Sequence, residues 1–286
     1  MPPTAVPTAT LIPPPPTATS APPTVTPAPP TATPAPPTPT AEPTATPIPV
    51  PRAQVALPIV MYHYTGPLPT NPDALRRDLT VSPQLLEDEL AQMRDAGVQT
   101  VDLDAVVAYL RGTLTLPDRA AVLTFDDGYV DNYEQAFPLL RRYGMVGTFY
   151  IVLDFVGRPG YMSWDQLREM AAGGMSIQAH SASHADLSLA SGAALERQLV
   201  EPKRRIEEEV GRPVLHLAYP SGRYNQRAMA AAAAAGYSTA VTTNHGTVLS
   251  ASRLLDLPRV RARGADTAAQ LVARMTPIGW RTVAGR

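Results

Sequence analysis

From residue 52 onward the sequence predicts an α/β fold with a parallel sheet, doubly wound or closed into a barrel, on three observations. Short apolar runs alternate about seven times with amphipathic segments. The helical segments carry their own start and stop residues. The chemically suggestive side chains, His63, Asp126, Asp127, His180 and the run from Tyr219 to Gly222, all fall at the C-terminal ends of apolar runs. Parallel α/β folds assemble their sites at that edge.

The first run, 57–63, reads as a strand. Ser82 then offers an N-cap, Pro83 fits the first helical position, and Leu85, Leu86, Leu90 and Met93 make an apolar stripe that stops at Gly97. Further strands are expected at 98–103, 120–125, 147–152, 175–180, 214–219, 238–243 and 255–261. Helices are expected at 104–111, 133–143, 163–172, 193–210, 226–235 and 267–275, the long charged one ended by Gly211 and Pro213. Asp131 reads as a helix N-cap, Trp164 as core under a helix start, and 230–235 as a close-packing helix.

Residues 1–51 differ in kind. They hold 20 of the 33 prolines and a single ionisable side chain, Glu42. Such a segment buries too little apolar surface to offset its ordering entropy, and reads as a disordered Pro/Thr/Ala-rich linker or stalk. It favours an extracellular or cell-surface location. Residues 52–286 are expected to form one catalytic domain. That part carries 24 acidic and 24 basic side chains, so no basic excess points to nucleic acid. No apolar run is long enough to span a membrane, and no signal peptide is read in residues 1–20. The absence of cysteine excludes disulfides and thiolate ligands.

Consecutive strand residues point to opposite faces, so Asp126 and Asp127 both face one pocket only if the chain turns at the strand end, which Gly128 allows. His180 and His184 are spaced so that one helical turn would bring both rings to one side, with Ser181 and Ser183 holding the loop through local bonds. Alone, each pair has a plain structural reading, a solvated turn or hydrogen-bonded loop histidines. Together, in a chain of 5 histidines, they offer two imidazoles and one carboxylate for a divalent metal, and a second carboxylate left free as a base. Zinc suits that donor set best, with cobalt, nickel or ferrous iron as alternatives. Such an ion lowers the pKa of bound water from ~15.7 toward ~7. His216 and His245 are given structural roles; Trp280 fits either core or a sugar platform.

TFDDGY at 124–129, GTFYIV at 147–152, SWDQLREMAAGGMSIQAHSASHADL at 163–187 and LAYPSGRYN at 217–225 resemble, in this order, the polysaccharide deacetylases, the NodB-homology carbohydrate esterases. The likeness covers 120–262. It implies a distorted (β/α) barrel and metal-dependent removal of N-acetyl groups from an amino-sugar polymer. By position it makes Asp126 the general base and Asp127, His180 and His184 the metal ligands. The family's third motif, Arg-x-Pro-Tyr-Gly in type, lines the cleft and supplies an oxyanion N–H; Tyr219, Pro220 and Ser221 match it here, with Ser221 at the tyrosine's place.

Two features depart from the family. The arginine that orients the base is replaced by Ala218; Arg259 and Arg223 are the candidate substitutes, each otherwise expected in a surface salt bridge. The C-terminal Leu-x-His that supplies the general acid is absent. Tyr62-His63 instead resembles the poly-N-acetylglucosamine deacetylase subgroup, in which an N-terminal Tyr-His provides that acid. The alternatives are a metal hydrolase of another amide or ester, such as O-acetylated xylan, and a non-catalytic glycan-binding surface module. A ferrous oxygenase triad shares the ligand types but not their order.

Overall fold

The computed structural model describes residues 50–276. Nearly all of the expected stalk, and Trp280, lie outside the described residues. In chain order the strands are β1 Gln54–Ala56, β2 Ile59–Tyr62, β3 Gln99–Thr100, β4 Ala120–Phe125, β5 Thr148–Ile151, β6 Ser176–Ala179, β7 His216–Ala218, β8 Thr239–His245, β9 Val248–Ser250 and β10 Leu257–Arg261. The α-helices are α1 Ala74–Leu79, α2 Pro83–Asp95, α3 Leu103–Leu110, α4 Phe137–Tyr143, α5 Trp164–Ala172, α6 Gly192–Val210, α7 Gln226–Ala234 and α8 Ala268–Met275. No helix among the described residues is long and apolar enough to cross a membrane.

Seven strands run parallel in the order β2-β10-β8-β7-β6-β5-β4, and β4 returns to β2 with Ile59 opposite Val122 and Tyr62 opposite Phe125. The sheet is therefore a closed barrel, not a doubly wound one, with β3 paired outside the ring to the start of β4. Closure explains the unbroken apolar runs, because both faces of each strand are buried. In β4 all six residues are buried. Val122 faces inward with Ile59, Tyr150, Ala218, Val241 and Leu257, while Leu123 and Phe125 face the helical layer. Leu103, Val106 and Leu110 of α3 pack on the inward set and plug the barrel where the strands begin. The same parity continues upward: 59, 61, 63 and 122, 124, 126 share one face, so His63 and Asp126 enter the opposite mouth from inside.

Local signals set the helix starts. Ser82 Oγ accepts from Leu85 N at 3.2 Å with Pro83 leading α2, and Ser163 and Gln166 form a capping box on α5. The expected strand at 98–103 shrinks to two residues because Asp102 caps α3 instead, accepting from Ala105 N at 2.8 Å. The helix expected at 133–143 opens as a π-helical turn, Asn132–Ala136, before becoming α4. Asp131 makes no side-chain cap there; its Oδ2 accepts from Gly66 N at 3.0 Å. Helix α1 and the antiparallel ribbon β1–β9 were not read from the sequence.

Glu89 is the one acid of α2 that is fully buried. Its Oε2 accepts from the Tyr62 hydroxyl at 3.0 Å, and its Oε1 has no partner among the described residues. Burial raises its pKa to about 8, only partly offset by Tyr62. The native state then keeps a proton that the unfolded chain gives up near pH 4.5. The contribution of Glu89 to stability is most favourable below that pH and falls as pH rises toward 8, by up to about 5 kcal/mol. Glu89→Gln removes this dependence. Urea unfolding at pH 5 and pH 8.5 should show the variant gaining on the parent as pH rises; a pH-independent difference would contradict the account.

Candidate metal centre and active site

Asp127, Ser181, His184 and Ser221 have φ of 74°, 64°, 59° and 54°, and among the described residues no other non-glycine residue has positive φ. Left-handed backbone costs such residues about 1–3 kcal/mol each, and surrounding structure must hold it. All four lie in the loops at the C-terminal mouth of the barrel. At Asp127 this geometry does the work expected of Gly128 alone. Asp126 already points inward, and the reversal at Asp127, continued at Gly128 with φ 81°, turns the second carboxylate to the same side.

The histidine pair is held differently from expectation. No helical turn joins His180 to His184; the segment is an irregular loop with left-handed residues at Ser181 and His184. Ser181 Oγ accepts from His184 N at 3.0 Å. Gln198 of α6 clamps the middle: its Oε1 accepts from Ala182 N and Ser183 N at 3.1 and 3.0 Å, and its Nε2 donates to Ser183 Oγ at 2.9 Å. Gln198 escaped sequence reading, because a glutamine in a charged helix carries no signal of its own.

The outcome is a cluster of three donors. His180 Nε2 and His184 Nε2 each lie 3.3 Å from Asp127 Oδ1, and one ligand atom from each residue lies within 4.8 Å of the others. Burial opposes ionisation of Asp127, yet His180 and His184 hold its carboxyl well below the usual carboxylate range. Asp127 Oδ1 is buried without an aligned hydrogen bond. His180 Nδ1–H donates to the Ala218 carbonyl at 2.7 Å, the tautomer that turns Nε2 toward the cluster as a ligand atom. Lone pairs converging on one point make a donor set that a divalent cation completes, and two imidazoles with a carboxylate fit zinc. Asp127, His180 and His184 would hold it.

Asp126 is bound elsewhere. Arg259 of β10, 1% exposed, grips it bidentately with Nη1–Oδ1 2.8 Å and Nη2–Oδ2 2.7 Å, and is itself fixed by Thr242 O at 2.8 Å and Thr124 Oγ1 at 3.1 Å. Burial would raise the carboxyl's pKa; the Arg259 charge and hydrogen bonds outweigh it and keep Asp126 below the ordinary range. Arg259 is thus no surface salt bridge, whereas Arg223 is, paired with Asp186 at 3.0 Å. His63 Nε2 stands 3.9 Å from Asp126 Oδ2. Burial lowers its pKa despite the nearby carboxylates, so it rests neutral. Asn132 Nδ2 donates to the His63 carbonyl at 2.8 Å and fixes the loop.

The third motif divides. Tyr219 is buried away from the centre, its hydroxyl donating to Leu255 O and its N–H to Val241 O. Pro220 is buried beside it. Ser221 is exposed, and its N–H has no acceptor among the described residues. His216 binds Thr239 Oγ1 at 2.9 Å and lies 3.3 Å from Asp104 at the plugged end. His245 is exposed at the end of β8, and Trp164 packs half-buried against the core.

Residues 113–240 match the sequence model of the family described as polysaccharide deacetylase. YxkH of Bacillus subtilis, whose name places it among polysaccharide deacetylases, is 30% identical over 205 residues, 72% of this chain and 71% of that protein. The poly-β-1,6-N-acetyl-D-glucosamine N-deacetylase of Escherichia coli is 30% identical over 111 residues, 34% of this chain but only 16% of that protein. The Streptococcus pyogenes deacetylase PplD, solved in complex with acetate, superposes with a TM-score of 0.72 at 31% identity, covering 78% of this chain and 99% of that one. With its closed parallel barrel and these relatives, the chain belongs to the polysaccharide deacetylase family.

Proposed function

We infer that this deacetylase removes N-acetyl groups from a polysaccharide containing N-acetylglucosamine, releasing acetate and leaving a free amine. The observation that carries the reading is the placement of Asp126, locked by two hydrogen bonds from Arg259 beside the three-donor cluster of Asp127, His180 and His184, to which it gives no donor atom. Asp127, His180 and His184 would hold a divalent ion, zinc by their donor set, which would supply Lewis acidity toward the acetamide carbonyl and water. Asp126 takes the proton of the attacking water as carbon gains its new oxygen. The Ser221 N–H is free to donate to the developing oxyanion. The carboxyl of Asp126, kept acidic by Arg259, gives up its proton readily. His63, neutral at rest and 3.9 Å away, receives it and hands it to the departing nitrogen as the C–N bond breaks. The likeness to a deacetylase solved with acetate supports the leaving fragment, and the Escherichia coli relative supports the sugar. The composition of residues 1–51 supports placing the enzyme outside the cell, at a surface.

The test is acetate release from N-acetylglucosamine oligomers and from O-acetylated xylan, before and after chelation. Release from the oligomers should vanish on chelation and return with added zinc. Release from xylan alone would reassign the substrate to an ester, and turnover indifferent to chelator would remove the metal.

A further inference from the structure

Beside Asp127 a cavity of about 340 Å³ opens toward α1 and the loop after β5, lined by Tyr64, Arg76, Tyr129, Asp131 and Tyr161. That volume lies within the range of small-ligand sites, ~300–1,000 Å³. The deacetylation steps leave these side chains unused. Their rings form one row: Tyr64 and Tyr129 stack with centroids 3.8 Å apart, Tyr129 and Tyr161 at 5.2 Å, and Tyr161 meets Phe155 at 4.8 Å. A guanidinium closes each end, Arg76 at 3.3 Å over Tyr64 and Arg158 at 5.1 Å over Phe155. An isolated bridge between Tyr129 and Tyr161 fixes the row's backbone.

Two details decide what such a wall binds. Most ring faces cover one another, so the row presents hydroxyl edges and cations rather than an open platform for stacking a sugar. The cations are also unspent. Other arginines around the mouth are paired, Arg223 with Asp186, Arg197 with Asp154 and Arg259 with Asp126. Arg76 gives only its Nε, to Thr80 Oγ1, and its terminal nitrogens meet no acceptor among the described residues; Arg158 has no carboxylate partner there either. Asp131 makes no ion pair with either guanidinium and feels Arg76 only at longer range; its Oδ2 accepts from Gly66 N and its Oδ1 from Asn132 Nδ2, each at 3.0 Å. A guanidinium seated over a ring with its terminal N–H groups unpaired is a forked donor for an oxyanion.

We propose that this cavity is a subsite for the sugar next to the one deacetylated, and that it selects a unit bearing an anionic oxygen group, a carboxylate or a phosphodiester. The inference rests on the deacetylase reading of the adjoining centre. The experiment compares kcat/KM for acetate release from a neutral N-acetylglucosamine oligomer, a peptidoglycan oligomer carrying carboxylates, and a glycan carrying phosphodiesters. In the parent protein the acidic substrates should lead, with an advantage that shrinks as salt is raised. Arg76→Gln should lower the acidic-to-neutral ratio about 10-fold, the scale of one charge-assisted bond. The solvent-exposed Arg158→Gln should lower it in the same direction, and keeps the test valid if the change at Arg76 disturbs folding. A fall confined to one acidic substrate identifies the anion. Ratios unchanged in both variants, or a parent that favours the neutral oligomer, would overturn the proposal. Calorimetric titration of the same glycans into the parent protein separates the two inferences. Anion-selective binding without acetate release sinks the deacetylase reading and leaves the subsite; release without anion selectivity does the reverse.

Discussion

Asp126→Asn is expected to lower kcat about 10³-fold on the N-acetylglucosamine oligomers while leaving one equivalent of bound metal. A positioned general base contributes ~10²–10⁴-fold, and an amide cannot take the water's proton. The metal should stay because Asp127, His180 and His184 form a cluster to which Asp126 gives no ligand atom. The substitution also replaces one acceptor oxygen facing Arg259 by an NH2 group, so one bond of the fork is lost and a buried guanidinium loses its counter-charge. Thermal unfolding and metal content must therefore be measured beside acetate release. A folded, metal-loaded variant with activity within tenfold of the parent would remove Asp126 as the base.

The barrel was legible because both faces of its strands are buried, which writes them as apolar runs such as 120–125, an element found with the expected ends. Elements without such a signature were lost. The ribbon β1–β9 has partly exposed strands of three residues, and α1 buries no residue of its own. The π-helical turn at Asn132–Ala136 was hidden too, since apolar spacing does not separate one wide turn from the start of α4.

In the site, residue types and strand ends were readable, whereas the means of holding them were not. His180 and His184 could be picked out as a pair, but their loop depends on left-handed backbone at non-glycine residues, which sequence pattern disfavours and Gln198 enforces from a separate helix. Tyr219 illustrates the opposite error. Its motif position suggested the cleft, but parity along β7 sends the ring outward against Tyr224, with ring centroids 4.7 Å apart.

Arg259 was legible only as one of two candidates for the base's partner, with a surface salt bridge as its ordinary reading. It lies 133 residues from Asp126 and reaches it only because barrel closure sets β2 between β10 and β4. Arg259→Met tests what that contact does. Removing one partner of a buried ion pair strands the other charge and costs about 3–5 kcal/mol. In the parent, Asp126 titrates below its unfolded value, so the pair's contribution is present above the unfolded pKa and is lost as pH falls through the folded one. Without Arg259, burial dominates and raises that pKa. The variant's deficit should therefore be largest at neutral and alkaline pH and shrink in acid. Catalysis must follow the same sign: the acidic limb of kcat/KM moves to higher pH, because the base stays protonated further up the scale. Arg259→Lys keeps the charge but not the fork or the hold on Thr242 O and Thr124 Oγ1, and should fall between parent and Arg259→Met in both stability and pH profile. If Arg259→Met lost stability but kept the parent's acidic limb, Arg259 would be a strut in the barrel and the acidity of Asp126 would have another source.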